Sequence, residues 1–153
     1  MNDDYHLQRF VDAQADVIEG VLAELRLGRK TGHWMWFIFP QLKDLGFSSM
    51  AQFYGIASLA EAESYFDHPS LGPRLIECTQ IVNSIEDRSL REIFGTPDDL
   101  KFRSSMTLFT HATSQRVVFL EALNKFCGGN YDPATLELLG LRREIAPEES
   151  RGR

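Results

Sequence analysis

Residues 96–111 have the sequence TPDDLKFRSSMTLFTH, and this stretch decides the fold class. Thr96 is a good helix-capping residue, and Pro97 suits the first position of a helix. The two aspartates that follow would lie in the first turn, where the helix dipole favours carboxylates. Apolar residues then recur at helical spacing. The stretch therefore predicts a helix that reaches about His111.

Similar start and stop signals occur on both sides of this stretch. A first long amphipathic helix is predicted from a cap at Asp3 or Asp4 to a stop at Gly28. Shorter helices are predicted over residues 48–54, 58–66, 73–85, 90–94, 114–127 and 132–139. The fold class is therefore all-α. We expect a compact multi-helical single domain over residues 1–140 and a flexible C-terminal tail over residues 141–153.

A short apolar segment rich in tryptophan follows the first long helix. Residues 34–41 have the sequence WMWFIFPQ, which is apolar on every side and includes a proline near its end. Periodicity leaves open whether this segment is a strand or a buried helical turn. Side chains two residues apart point in nearly opposite directions in both structures. We therefore expect one of Trp34 and Trp36 to face the core and the other to face a pocket or a helix interface.

The composition is that of an ordinary globular protein and restricts the classes of partner. The chain has 153 residues, of which 43% are hydrophobic and 25% charged, and a net charge of −6. This sign opposes broad binding to nucleic acid or to an anionic membrane. Cys78 and Cys127 form neither a disulfide framework nor a zinc motif, and the four histidines are too far apart for a local metal site. The acidic N-terminus lacks an apolar signal core, so we expect a cytoplasmic protein.

Two polar clusters adjoin the most apolar parts of the sequence. Near the tryptophans, Lys30, His33 and Gln41 could supply hydrogen-bond donors beside the flat face of Trp34. In the helix after Thr96, one lysine and two serines share a stripe, and the lysine could activate the first serine as a nucleophile. Small residues that allow close helix packing are the structural alternative. The stripe consists of Lys101, Ser104 and Ser105.

A third candidate is a rigid corner at a helix start, with the sequence HPSLGPR at residues 68–74. Arg74 would lie in the first helical turn, where the dipole disfavours a cation. We therefore expect Arg74 to have a partner, which could be Glu61, Glu63 or a ligand. Together the three clusters predict these ligand-binding residues: Lys30, His33, Trp34, Gln41, Arg74, Lys101, Ser104 and Ser105.

Two classes of function follow from these clusters. In the first, the clusters form a pocket for a small anionic or nucleotide-like metabolite, with or without catalysis. In the second, the protein is a non-catalytic interaction or structural domain whose polar groups pair with one another. The sequence assigns no catalytic residue, cofactor or metal ligand. A structure that gathers the clusters around one pocket would favour the first class.

Five segments resemble domain-of-unknown-function family 1810, and the match runs from about residue 7 to residue 139. They are RFVDAQ (9–14), GRKTGHWMWFIFPQL (28–42), EAESYFDHPSLGPRL (61–75), IFG (93–95) and DDLKFRSSMTLF (98–109). The resemblance implies a multi-helical single domain but supplies no activity, substrate or catalytic residue. The family is sometimes labelled calpastatin-like. A calpastatin-type inhibitor is a disordered chain that folds on its target, whereas this composition builds a core.

Overall fold

Ten α-helices and one 3₁₀ helix form between residues 3 and 141, which is the part of the chain that the computed structural model describes. The α-helices are α1 Gln8–Ala15, α2 Ile18–Arg26, α3 Met35–Ile38, α4 Ser49–Tyr54, α5 Leu59–Asp67, α6 Leu71–Ser84, α7 Leu90–Phe94, α8 Asp98–Ala112, α9 Val117–Phe126 and α10 Pro133–Leu139. The 3₁₀ helix is Lys43–Leu45. No strand forms within residues 3–141, so the prediction of an all-α domain is confirmed. Apart from Leu141, the predicted tail lies outside the described residues.

The predicted long first helix is two helices, α1 and α2, and the prediction of one continuous helix was wrong. Asp16 and Val17 separate them. The backbone of Val17 donates to the carbonyl of Gln14 at 3.1 Å, so the chain forms a tighter turn between the two helices. The predicted start was also wrong, because α1 begins at Gln8 and its cap position is Leu7. The carboxylate of Asp3 nevertheless accepts hydrogen bonds from the backbone of Leu7 and Gln8 at 2.7 and 3.0 Å. Gly28 follows α2 with a φ of +75°, which glycine adopts without strain.

Two other predicted helix starts also differ from the structure. α6 begins at Leu71, two residues before Pro73. Proline fits here because the first four N–H groups of a helix have no partner within it. α9 begins at Val117 rather than at residue 114. The hydroxyl of Thr113 accepts a hydrogen bond from the backbone of Gln115 at 3.0 Å, and this local turn competes with the helix.

The tryptophan-rich segment forms the single helical turn α3, and its two tryptophans have different surroundings. Trp34 is 3% exposed, and its ring packs against Phe39 and Phe94 with centroid distances of 6.3 and 6.5 Å. Trp36 is only partly buried. The segment thus gives one tryptophan to the core and leaves the other at its margin.

α8 packs against α5, α7, α9 and α10. The apolar stripe predicted on it is fully buried and consists of Phe102, Met106 and Phe109. The predicted cap was wrong, because the cap position of α8 is Pro97 and not Thr96. The carbonyl oxygen of Pro97 accepts hydrogen bonds from the backbone of Leu100 and Lys101 at 3.0 and 3.1 Å. α8 therefore starts one residue later than predicted and carries Lys101 in its first turn.

Candidate functional site

A cleft of about 490 Å³ lies between the segment 41–51, the first two turns of α8 and the start of α10. This volume is within the usual range of small-molecule sites, about 300–1,000 Å³. Three of the predicted ligand-binding residues line it: Gln41, Lys101 and Ser104. Its other polar residues are Ser48 and Asp132, and its apolar walls are formed by Leu45, Phe47, Ala51, Pro97, Leu100 and Ala134. The cleft is thus mostly apolar and contains one lysine and one carboxylate.

Backbone contacts fix the segment that carries Gln41. Leu42 and Ile56 form an isolated parallel bridge. The backbone of Ile56 donates to the carbonyl of Gln41 at 2.9 Å, and the backbone of Lys43 donates to the carbonyl of Ile56 at 2.8 Å. A Cβ atom at Gly46 would lie 2.5 Å from Cβ of Ala51. The turn therefore needs glycine to approach α4 this closely, and this approach shapes one wall of the cleft.

One carboxylate holds two of the predicted cations. Oδ2 of Asp98 lies 2.9 Å from Nζ of Lys30, and Oδ1 of Asp98 lies 3.4 Å from Nζ of Lys101. The side chain of Lys30 is 9% exposed and that of Lys101 is 23% exposed. Lys30 is therefore the more deeply buried and more closely paired cation. Lys101 is held less closely and lines the cleft.

Each of these lysines also lies over a tryptophan ring. Nζ of Lys30 is 5.3 Å from the ring centroid of Trp34, and Nζ of Lys101 is 4.9 Å from that of Trp36. Trp36 lines a void of about 10 Å³ that shares Gln41 and Lys101 with the cleft. A void of this size is at the lower limit for one water molecule. Trp36 thus contacts the cation of the cleft, whereas Trp34 supports the cation beneath it.

Ser104 is bonded to a carboxylate and not to the lysine one turn before it. Its Oγ lies 3.0 Å from Oδ2 of Asp132 and 3.1 Å from the carbonyl oxygen of Leu100. Lys101 pairs with Asp98 instead. These contacts do not support the hypothesis of a lysine-activated serine nucleophile.

Five of the eight predicted residues lie outside the cleft lining: Lys30, described above, His33, Trp34, Ser105 and Arg74. Ser105 is fully buried, and its Oγ has no hydrogen-bond partner. His33 is exposed. Trp34 is buried and donates from Nε1 to Oε1 of Glu24 at 3.0 Å. Ser105, His33 and Trp34 therefore contribute no side chain to the cleft lining.

Arg74 lies outside the cleft lining, and the suggested pairing of Arg74 with Glu61 was wrong. Its Nη1 donates to Oε1 of Gln14 at 3.3 Å. Glu61 pairs with Arg9 at 2.8 Å. Among the residues that the structure describes, no carboxylate pairs with Arg74. Gln14 donates in turn to the hydroxyl of Tyr65 at 3.1 Å, and burial raises the pKa of that hydroxyl above its usual value.

Sequence reasoning missed three residues that shape the site. Asp98 was recognised only as a first-turn carboxylate, although its i,i+3 spacing to Lys101 predicts an ion pair. Asp132 was recognised only as a helix start, and nothing local indicates its contact with Ser104. Phe47 was given no role, yet it is 94% exposed and lines the cleft.

Metal ligands and reactive thiols do not add to this site. Within residues 3–141, no group of three or more His, Cys, Asp or Glu side chains could hold a metal ion. Burial raises the pKa of Cys78 to about 12 and also raises that of Cys127. Both thiols therefore stay protonated near neutral pH and are weak nucleophiles. None of the helices in the described range has the length and apolar character needed to cross a membrane.

Comparisons with known proteins agree with this architecture. Residues 4–139 match the family model described as "Protein of unknown function (DUF1810)". The chain is similar to the conserved hypothetical protein Rv1873 from Mycobacterium tuberculosis, which is known from a crystal structure. The two share 56% sequence identity and a TM-score of 0.89, over 90% of this chain and 99% of that one. No curated protein matches the chain. The protein therefore belongs to the DUF1810 family, as its sequence motifs implied.

Proposed function

We propose that the protein binds a small anionic metabolite in the cleft and that Lys101 receives the anionic group. The observation that carries this proposal is the position of Lys101, a partly exposed cation in the wall of a mostly apolar cleft. A cation beside apolar walls can receive an anionic group while the rest of the ligand contacts those walls.

Among the described residues, one cation lines the cleft. Lys30 and Lys101 share the single carboxylate of Asp98, so these three groups carry a net charge of +1, and the carboxylate of Asp132 in the cleft lining brings the local sum to zero. Lys101 can therefore receive the anionic group of a small ligand, whereas the overall charge of −6 opposes a polyanion such as nucleic acid. Since Asp98 holds Lys30 at 2.9 Å and Lys101 at 3.4 Å, Lys101 is the cation better placed to turn toward a ligand.

The remaining lining can orient a ligand of moderate size. Gln41 provides an amide, and Ser48 and Ser104 provide hydroxyl groups. Phe47 and Leu100 are 94% and 60% exposed and offer apolar surface at the cleft. A few polar groups among apolar walls are typical of small-molecule sites, where apolar contact gives affinity and polar contact fixes orientation.

The test is a thermal-shift screen of anionic metabolites, followed by titration calorimetry of each hit. A ligand at a hundred times its dissociation constant stabilises the fold by about 2.7 kcal/mol, which such a screen detects. Lys101→Ala should remove the shift and change the unliganded melting temperature little, because a partly exposed ion pair contributes at most about 1 kcal/mol.

Lys125→Ala is the matched control for this substitution. Lys125 is also a partly exposed lysine in an ion pair, 3.0 Å from Glu86, and it lies 5.5 Å from the ring centroid of Phe126. It does not line the cleft. Ligand binding should survive Lys125→Ala. The proposal fails if no anion stabilises the wild type, or if Lys101→Ala leaves binding unchanged.

A non-catalytic interaction domain is the second candidate, and internal pairing favours it. Lys30 pairs with Asp98 and Ser104 bonds to Asp132, so several predicted ligand-binding groups already have protein partners. Under this alternative, the apolar surface of Phe47 would contact another protein. A screen without any stabilising anion, together with loss of a protein partner in Phe47→Ser, would favour the second candidate over the first.

A cytoplasmic location is part of our proposal. Cys78 and Cys127 are both free thiols, and free thiols persist in reducing compartments. Fractionation of cells that express the protein tests this location.

A further inference from the structure

We propose that Asp132 makes the cleft selective for anions that carry hydroxyl groups next to a flat ring, which is the chemistry of a nucleotide. This inference rests on the proposed function, because it assigns the anionic group of the ligand to Lys101. It adds a second polar contact to the cleft and narrows the ligand from any small anion to a hydroxylated one.

Asp132 is bonded on one side only. Its Oδ2 accepts hydrogen bonds from Oγ of Ser104 at 3.0 Å, from the backbone of Thr135 at 3.2 Å and from the hydroxyl of Thr135. Its own backbone donates to Oγ1 of Thr107 at 2.9 Å. Within the described residues, no protein group donates to Oδ1. The protein thus fixes the carboxylate through one oxygen and leaves the other without a protein donor, on a residue that lines the cleft.

An ionised carboxylate only accepts hydrogen bonds, so a ligand must offer Asp132 an O–H or N–H donor. Paired hydroxyls on a ribose are the donors that an acidic residue binds in dinucleotide sites. A simple anion without donors would instead be repelled by Asp132. The cleft therefore discriminates between anions by their donor groups.

The other side chains of the cleft favour a ligand that carries a flat ring. A zwitterion without a ring would satisfy Lys101 and Asp132 but leave the apolar walls without a partner. Phe47 and Leu100, which are 94% and 60% exposed, supply apolar surface at the cleft. A hydroxylated anion with a flat ring would contact the lysine, the carboxylate and the apolar walls. A nucleoside monophosphate has this combination.

The experiment compares adenosine 5′-monophosphate with its 2′,3′-dideoxy analogue by titration calorimetry at fixed ionic strength. The two probes have the same base and phosphate and differ only in the hydroxyls. We expect the wild type to bind the hydroxylated probe roughly ten- to a hundredfold more tightly, the range for a hydrogen bond to a charged group. Inorganic phosphate should bind more weakly than either.

Two substitutions assign this preference to Asp132. Asp132→Ser keeps a good helix-capping residue for α10 but removes the carboxylate. The ratio of the affinities for the hydroxylated and the dideoxy probe, here called the preference, should therefore fall to about one. If that variant does not fold, Asp132→Asn keeps the size of the side chain and should lower the preference severalfold. Asp99→Asn is the control, because Asp99 lies on the same helix as Lys101 but outside the cleft lining, and it should leave the preference unchanged.

The outcomes separate this inference from the proposed function. Equal binding of both probes, abolished by Lys101→Ala, overturns the role of Asp132 and supports the anion site. Binding that survives Lys101→Ala overturns the anion site. If the hydroxylated probe does not bind at all, the inference fails, and the anion screen alone decides the proposed function. A preference that survives both Asp132 substitutions also overturns the inference.

Discussion

Two adjacent serines of α8 have opposite hydrogen-bonding states. Ser104 is bonded to Asp132 and to the carbonyl of Leu100, whereas Ser105 is fully buried with an unpartnered hydroxyl. A buried hydroxyl without a partner destabilises a fold by about 1–3 kcal/mol. We expect Ser105→Ala to raise the free energy of unfolding by about 1 kcal/mol, measured by urea denaturation.

Ser104→Ala is the internal control for this prediction. Both substitutions gain the same helix propensity, so their difference reports the hydrogen bonds alone. Ser104→Ala should be less stable than Ser105→Ala by about 1 kcal/mol or more, because Asp132 loses a donor. Equal stability of the two variants would contradict the difference that the structure shows.

At the same scale, the sequence predicts only the part of the cleft that depends on local spacing. Lys101 and Ser104 share a helical stripe, and this pattern was sufficient to select both residues. Asp132 lies 28 residues beyond Ser104, so no local pattern could indicate their contact. Gln41 and Lys101 also come together only through the packing of separate elements. Residues joined by tertiary packing are therefore the part that the sequence leaves undetermined.

Among the connecting elements, the turn between α2 and α3 depends on one carboxylate. Oε1 of Glu24 accepts hydrogen bonds from the backbone of Thr31 and Gly32 at 2.7 and 2.9 Å and from Nε1 of Trp34 at 3.0 Å. Partial burial raises the pKa of Glu24, but these hydrogen bonds together lower it below its usual value. Since the charged form is favoured in the folded state, this contribution exists above the unfolded pKa and is lost as the pH falls through the folded one.

We therefore expect the wild type to lose stability between about pH 5 and pH 3, and Glu24→Gln to lose less over the same range. Urea midpoints at several pH values measure the two slopes. Glu19→Gln serves as a control, because Glu19 is exposed on the same helix and its substitution removes the same charge. Parallel slopes for the wild type and Glu24→Gln would show that Glu24 does not anchor this turn.

The corner between α5 and α6 depends on a glycine at a close approach. A Cβ atom at Gly72 would lie 1.9 Å from the carbonyl oxygen of Phe66. Because this neighbour is backbone, the helix start itself would have to move. We expect Gly72→Ala to lower the free energy of unfolding by roughly 2–3 kcal/mol. Thermal and urea denaturation measure the loss.

Gly20→Ala is the same chemical change, but we expect it to raise the stability of the protein instead of lowering it. Gly20 lies in α2, and nothing lies within 4 Å of its Cβ position. Alanine should therefore stabilise the protein by up to about 1 kcal/mol through its higher helix propensity. A loss at Gly20, or no loss at Gly72, would contradict this account of the two glycines.

Helices were largely predictable from the sequence because their signals are local. Ser48 and Ser58, the residues at which two helices were predicted to begin, each accept a hydrogen bond from the backbone N–H three residues later. The break at Asp16 was missed because apolar spacing continues across it, and apolar spacing alone does not show where a helix changes direction. Local signals thus determine most boundaries, and tertiary packing determines the remainder.

Across the whole molecule, one apolar cluster joins the helices. Buried side chains of α1 to α3 and of α5 to α9 belong to a single connected core, and Tyr54 of α4 packs against it. Phe109 of α8 lies near its middle, with ring centroids 5.3 Å from Tyr65 of α5 and 6.0 Å from Phe119 of α9. A core shared by all these elements predicts that they unfold together.

Both tryptophans lie at residues 34 and 36, so their fluorescence reports on the first third of the chain, whereas far-ultraviolet circular dichroism reports on all helices. We expect the two signals to have one common urea midpoint. Phe109→Leu should lower the free energy of unfolding by about 1–2 kcal/mol. The urea midpoints of both signals should therefore fall equally, although Phe109 is far from the tryptophans in sequence. A fluorescence transition that precedes the helical one would show that the tryptophan segment unfolds separately, and the cleft between that segment and α8 would then open before the core does.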